Sequence, residues 1–242
     1  MNILVTGSSG FIGTAVVKAL INEGYNVFCL ARPNSSIKIK DVNIISIKDN
    51  TIEGFKLALQ SNYFSFIINL ASYGVRRGDD NLSLMIDGNI NFVANLISVL
   101  PNKPKMIINV GSCSEYGVIE NGIYVDESAQ INPNTLYGAA KSASTIVGNS
   151  LAISQGLKFI SLRLFGVYGE GEAEYRLLPY IVNNLKNNVA VELTSGEQQR
   201  DVLYIDDVVN AYVKSINIDI TNFEVFNIGS GKSTSIAELV AI

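Results

Sequence analysis

The run Gly7-Ser8-Ser9-Gly10-Phe11-Ile12-Gly13 constrains what this chain can fold into more than any other feature, because of what flanks it. Before it, Ile3-Leu4-Val5 reads as a short buried strand. After it, Val16, Val17, Ala19 and Leu20 mark the apolar face of a helix that stops at Gly24. Strand, glycine turn and helix in that order form a dinucleotide cradle. Gly7 permits the tight turn, Gly10 lets backbone approach a pyrophosphate, and Gly13 lets the helix pack close on the strand. The helix amino terminus adds free N–H groups and the positive end of its dipole.

The same alternation continues downstream. Tyr25 to Leu30, Val42 to Ile47, Phe64 to Leu70, Lys105 to Val110 and Phe159 to Leu164 are strand candidates, with helices near Thr51 to Ser61, Leu82 to Leu100 and Tyr137 to Ser154. This rhythm predicts an α/β fold with a doubly wound parallel sheet of the Rossmann type. Residues 1–169 form the dinucleotide-binding domain. After Gly169 the alternation loosens into a helix near Arg176 to Asn187, a strand near Val189 to Leu193 and a loop from Ser195 to Asp201. Residues 170–201 and 229–242 are assigned to a small carboxyl-terminal substrate lobe, while 202–228 return to the main domain with a helix from about Asp207 to Ile216 and a strand at Val225 to Ile228. Ser235-Ile-Ala-Glu238 is a capping-box start followed by about one turn of chain, so the lobe is expected to be incomplete. Gly229-Ser-Gly-Lys-Ser-Thr234 imitates a phosphate-binding P-loop, but Phe226 stands where its first glycine belongs, and the segment reads as a strand-to-helix turn.

Composition narrows the chemistry. The chain has 242 residues, 48% of them apolar, enough for a sizeable core. It contains no histidine, which excludes Ser-His or Cys-His nucleophiles and histidine-ligated zinc. Two cysteines, Cys29 and Cys113, make no disulfide framework, and no metal site is expected. They fit a reducing cytoplasm. A net charge of -4 lacks the basic footprint of a nucleic-acid binder. No apolar run reaches the roughly eighteen residues of a membrane span, and the opening strand gives no sign of a secretory signal.

Cofactor choice turns on the end of the second strand, Cys29-Leu30-Ala31-Arg32. NAD sites place an acid there; NADP sites favour an arginine for the 2′-phosphate. Arg32, followed by Asn34, Ser35 and Ser36, suits a phosphate and favours NADP, with NAD still possible. A solvated surface arginine is the alternative.

Tyr137-Gly-Ala-Ala-Lys141 sets a phenol and an ammonium one helical turn apart on one face. A tyrosine with a pKa of about 10 is a sluggish acid at neutral pH until a cation favours its phenolate. Together with the glycine loop and Gly111-Ser112-Cys113-Ser114-Glu115-Tyr116-Gly117, this segment resembles the extended short-chain dehydrogenase/reductases, the NAD(P)-dependent epimerases, dehydratases and reductases of nucleotide sugars. Asn69-Leu-Ala71, Asn89, Arg163-Leu-Phe-Gly-Val-Tyr-Gly169, Arg200-Asp201 and Asn227-Ile-Gly-Ser-Gly231 extend the likeness over essentially the whole chain.

The resemblance implies a catalytic set of Ser112, Tyr137 and Lys141. Ser112 would bond the reacting sugar oxygen and Tyr137 would shuttle the proton. Lys141 would hold the nicotinamide ribose and lower the Tyr137 pKa. Gly7, Gly10, Phe11, Ile12, Gly13, Arg32, Asp49, Leu70, Ala71 and Asn89 would serve the cofactor, with Asp49 at the adenine and Asn89 bracing the site. Ser114 and Arg200 would touch substrate, Arg200 at the pyrophosphate; the alternative for Arg200 is a loop ion pair with Asp201 or Glu197. Homodimerisation through the Tyr137 helix is a further family expectation.

Three departures sort the subfamilies. Cys113-Ser114 replaces the Asp-Glu pair of the 4,6-dehydratases. The cysteine spacing and the lack of histidine disfavour the epimerase-reductase chemistry that makes GDP-fucose. Gly166 replaces an asparagine that often touches the substrate diphosphate. The expected function is therefore NADP-dependent reduction of a nucleotide-linked 4-keto-6-deoxyhexose. The alternatives are a nucleotide-sugar 4-epimerase and a catalytically inactive cofactor-binding protein.

Overall fold

The computed structural model describes residues 1–76, 78–120 and 123–241; Ile242, the last residue of the assigned lobe, lies outside them. In chain order the first elements are β1 (Asn2–Thr6), α1 (Phe11–Asn22), β2 (Asn26–Ala31), β3 (Asn43–Ser46), α2 (Ile52–Leu59) and β4 (Phe66–Asn69). Next come α3 (Leu82–Met85), a π-helical turn (Ile86–Asn91), α4 (Phe92–Ser98), β5 (Met106–Ser112), a 3-10 turn (Cys113–Glu115), α5 (Leu136–Ser154) and β6 (Lys158–Leu164). The remainder comprises β7 (Gly166–Tyr168), α6 (Leu177–Lys186), β8 (Gln199–Arg200), β9 (Val202–Tyr204), α7 (Ile205–Ser215), β10 (Phe223–Ile228), β11 (Thr234–Ser235) and α8 (Ile236–Ala241).

Seven strands pair in the order β10-β6-β5-β4-β1-β2-β3, all parallel. Parallel strands need helices on both faces, which is why their sequences are continuous apolar runs. Alternation within β1 shows the two layers. Ile3 and Val5 join Val16, Val17, Leu20, Val208 and Tyr212 on the face covered by α1 and α7. Leu4 joins Phe55, Leu59, Phe92, Leu96 and Ala152 on the face covered by α2, α4 and α5. The strand order reverses between β1 and β4, and the crevice beyond their carboxyl ends is where such sheets bind ligands.

Two expectations are corrected. Leu82 to Leu100 is not one regular helix. The buried Asn89 amide bonds back to the Met85 carbonyl at 2.9 Å and across to the Tyr73 carbonyl at 3.0 Å, and the helix widens into the π turn around it. Val189 to Leu193 forms no strand. The chain leaves α6 through Asn188 at φ 54° and runs irregularly to β8, with Val189 and Leu193 exposed and in no ladder among the described residues.

The Gly229–Thr234 segment is a turn between β10 and β11. Its N–H groups are already occupied: Ser230 and Gly231 donate to the Asp201 carboxylate at 2.8 and 2.9 Å. The Ser235–Glu238 capping box closes as expected, with the Glu238 N–H 3.1 Å from Ser235 Oγ and the Ser235 N–H 2.8 Å from the Glu238 carboxylate. Gly166 has a structural reason too. Its N–H bonds the Asp201 carbonyl at 2.9 Å as β7 pairs with β9, and a Cβ there would sit 2.8 Å from that oxygen.

Among the described residues, no helix is long and apolar enough to cross a membrane. No group of three or more metal-binding side chains comes together among them.

Candidate active site

The glycine turn is built by close approach. Gly7 has φ +66°, and a Cβ there would lie 2.5 Å from the Leu70 carbonyl carbon. At Gly13 a Cβ would overlap the Gly7 carbonyl, so α1 packs on the turn only because it is absent. Gly10 faces open space, with only the Gly7 carbonyl within reach at 3.3 Å. It caps α1 without a side-chain bond, so the first helical N–H groups, at Phe11 and Ile12, point into that opening. Among the described residues, the buried Ser8 hydroxyl beside them has no hydrogen-bond partner. An uncapped helix end, an orphaned hydroxyl and open room at Gly10 fit a dinucleotide pyrophosphate.

Below the cradle, Thr6 Oγ1 donates to Asn69, whose Nδ2 donates to Asn109 Oδ1 at 2.7 Å, which ties the ends of β1, β4 and β5 together. The Ala71 N–H returns to Thr6 Oγ1 at 3.3 Å, which fixes Leu70 and Ala71 at the rim. Arg32 is exposed just past β2, its carbonyl closing a turn with the Ser35 N–H at 2.9 Å. Asp49 accepts from the Thr51 N–H at 3.1 Å and from the Thr51 hydroxyl, and these bonds hold its carboxyl below the usual range.

Ser112 ends β5 and caps the 3-10 turn, accepting from the Ser114 N–H at 3.2 Å and keeping its own O–H free to donate. Glu115 completes a capping box from a fully buried position, with Oε1 receiving the Ser112 N–H at 2.9 Å. Its Oε2 pairs with Arg163 Nε at 3.0 Å. Arg163 also donates to the Tyr116 hydroxyl at 2.8 Å and stacks over the Tyr116 ring at 4.6 Å. The Tyr116 hydroxyl in turn donates to Asn227 at 2.7 Å. Thus a buried network running from β6 and β10 fixes the backbone of Ser112.

Tyr137 opens α5, capped by Thr135, which accepts from the Gly138 N–H at 3.0 Å. A Cβ on Gly138 would strike the Ser114 carbonyl, so the glycine after Tyr137 lets α5 lie against the Ser112 turn. Burial pushes the Tyr137 phenol above its ordinary pKa, while hydrogen bonding to Ser72 and Ser112 pulls it down. Lys141 is itself buried, and burial brings its ammonium down to about 8 against the upward pull of Glu115.

That depression has a sign. The unfolded lysine keeps its proton up to about 10.5 and the folded one only to about 8, so stability should rise with pH across that window. Below it the buried charge costs about 3 kcal/mol. Lys141→Met is therefore expected to raise the Tm of the cofactor-free protein at pH 7 by several degrees and to flatten its rise between pH 8 and 10. Thermal melts across that range check it; an unchanged or lower Tm at pH 7 would sink it.

Two groups at the site carried no role in the sequence reading. Ser72 hydrogen-bonds the phenol and donates to Asn89 Oδ1 at 2.9 Å; no local pattern marks it. Glu115 was legible in principle, since Ser112-x-x-Glu115 spells a capping box. Cys113 faces the charges of Arg200 and Asp201, and burial is the main cause of its raised thiol pKa. Arg200 is exposed on β8 beside a cavity of about 480 Å³ in the lobe. Among the described residues it forms no salt bridge, and Asp201 is spent on the Ser230 turn.

Residues 3–229 match the family described as NAD dependent epimerase/dehydratase. The chain is 30% identical to a CDP-abequose synthase of Salmonella muenchen, over 99% of its own length and 78% of that protein. Among solved structures, a UDP-glucose 4-epimerase from Thermotoga maritima with UDP-glucose is 26% identical, covering all of this chain and 81% of that one, with a TM-score of 0.86. A UDP-N-acetylglucosamine 4-epimerase from Methanobrevibacter ruminantium, in complex with UDP-N-acetylmuramic acid, gives the same identity and TM-score over 99% and 80%.

Proposed function

Because the chain belongs to the NAD dependent epimerase/dehydratase family and is an enzyme of it, we propose that it reduces a nucleotide-linked 4-keto-6-deoxyhexose to the alcohol, with NADPH as reductant. The observation that carries this reading is the Tyr137 phenol hydrogen-bonded toward Ser112 at the end of β5, one helical turn before buried Lys141, with Cys113-Ser114 where dehydration would need an acid pair. Similarity to a synthase of a CDP-linked sugar supports it.

Bound reduced nicotinamide supplies a hydride. The free O–H of Ser112 donates to the ketone oxygen, and Tyr137 delivers its phenolic proton to that oxygen as charge develops there. Lys141 steadies the phenolate left behind, and hydrogen bonding to Ser72 and Ser112 favours it. Arg200 holds the substrate diphosphate, with Ser114 on the sugar side. The cradle from Gly7 to Gly13 takes the cofactor pyrophosphate; Leu70, Ala71 and Asn89 line the nicotinamide side, and Asp49 lies on the adenine side. Exposed Arg32, in no salt bridge among the described residues, supports a 2′-phosphate and hence NADP. Exposed Leu82, Leu84, Ile86, Ile146 and Ile153 support a homodimer formed through α3 and α5, and two free cysteines suit the cytoplasm.

The test is single-turnover absorbance at 340 nm with nucleotide 4-keto-6-deoxysugars. Stoichiometric loss of NADPH, faster than loss of NADH, is the expected result. Turnover of a UDP-sugar with no net NADPH loss would instead assign a 4-epimerase, the activity named for both solved relatives above.

A further inference from the structure

Two residues far from Tyr137 in sequence border its ring. Gly74 has φ +100°, and a Cβ there would lie 3.0 Å from Tyr137 Cδ2, 2.6 Å from Met85 Cε and 2.7 Å from Met85 Sδ. The ring edge and the thioether thus converge on the bare backbone of Gly74, which leaves no room for a methyl group between them. Met85 is buried, so its side chain has no solvent to swing into.

Asn89 locks this arrangement. Its Nδ2 donates to the Met85 carbonyl and lies 3.4 Å from Met85 Sδ. The same amide grips Tyr73 at both ends, with the Tyr73 N–H donating to Oδ1 at 3.3 Å and the Tyr73 carbonyl accepting from Nδ2. Gly88 lets the π turn close on that residue, since a Cβ there would sit 2.7 Å from Tyr73 Cβ. One buried side chain therefore holds both the approach to Gly74 and the Met85 thioether, and α5, which packs on the π turn, carries the Tyr137 ring against them.

A small tilt at the base of a phenol ring is amplified at the oxygen on its far end, and a displacement of about 1 Å can cost about 10²-fold in rate. We propose that Gly74 and Met85 are positioning residues for the proton donor, walling the Tyr137 ring so that its phenol meets the substrate oxygen at one fixed angle; this rests on the reading of Tyr137 as the proton donor given above. Neither residue takes part in proton transfer itself.

The experiment pairs single-turnover kinetics with fluorine NMR of protein carrying 3-fluorotyrosine at position 137, in the native chain and in Met85→Ala, Met85→Leu and Gly74→Ala. Removing the thioether should lower the saturated rate of NADPH oxidation about tenfold, with substrate half-saturation and NADPH affinity within about twofold of native, because binding is intact and only the acid is misaimed. Leucine, of similar volume, should recover the rate to within about threefold. Gly74→Ala should cost about a hundredfold, and if it does not fold the two Met85 variants decide. A closely packed ring turns over slowly, so the native fluorine signal should split into two lines that merge in Met85→Ala. A Met85→Ala protein with the native rate, or one whose half-saturation shifts as much as its rate, would overturn the proposal, as would a single native line. If the native protein oxidises no NADPH with these sugars, the reductase reading falls alone, and native lines that merge in Met85→Ala would still uphold the wall.

Discussion

Tyr137→Phe is expected to slow single-turnover oxidation of NADPH by roughly 10²–10⁴-fold while NADPH affinity changes by less than about threefold. The phenol is the acid nearest the reaction in this reading, and the chain has no histidine to replace it. Ser112 and Ser72 are hydroxyls whose own protons are far too weakly acidic to take over at neutral pH. Because burial holds the phenol protonated, the variant loses a proton donor and leaves the fold's charges as they were. Stopped-flow absorbance measures the rate, and fluorescence titration of NADPH measures binding. A variant that still consumes one equivalent of NADPH at the native rate would remove Tyr137 from the chemistry.

Arg163→Met should be the most damaging single change to stability among the residues named here. It strips the partner from Glu115, whose side chain is completely inaccessible, and empties the stack on Tyr116. Breaking a buried pair from one side costs about 3–5 kcal/mol, because the remaining charge is left without compensation. For a chain of this size that corresponds to a fall in Tm of about 10 °C. The double variant Glu115→Gln, Arg163→Met should recover much of the loss, since a neutral amide still accepts the Ser112 N–H. Thermal denaturation of the single and double variants decides it. A single variant as stable as the native protein would mean that the network carries no net stabilisation.

The parts of this molecule that were legible in the sequence are those whose cause is local. Gly7 and Gly13 announce the cradle because nothing larger fits their backbone, Gly10 because it leaves the opening clear, and Ile3 to Val5 announces the strand beneath it. The capping box at Ser235 reads directly from four residues. Where the cause is a distant neighbour, the pattern misleads. Val189 to Leu193 has the composition of a strand, yet a strand exists only with a partner, and among the described residues none pairs with it. The π turn depends on Asn89 meeting Tyr73, a contact between separate segments. Ser72 gains its significance from α5, which begins far along the chain, and Lys141 holds its proton less tightly because the fold closes over it.

The layer that covers α1 also has a consequence for how the protein is made. Val16, Val17 and Leu20 emerge among the first residues of the chain, but Val208 and Tyr212, which seal them, belong to α7. During synthesis that side of the sheet therefore stands open beside α1 until α7 has left the ribosome. Contacts of such long sequence separation form slowly, and open apolar surface in the interval invites association with other chains. The nascent protein should accordingly depend on chaperone holding at intermediate lengths and lose that dependence once α7 has emerged.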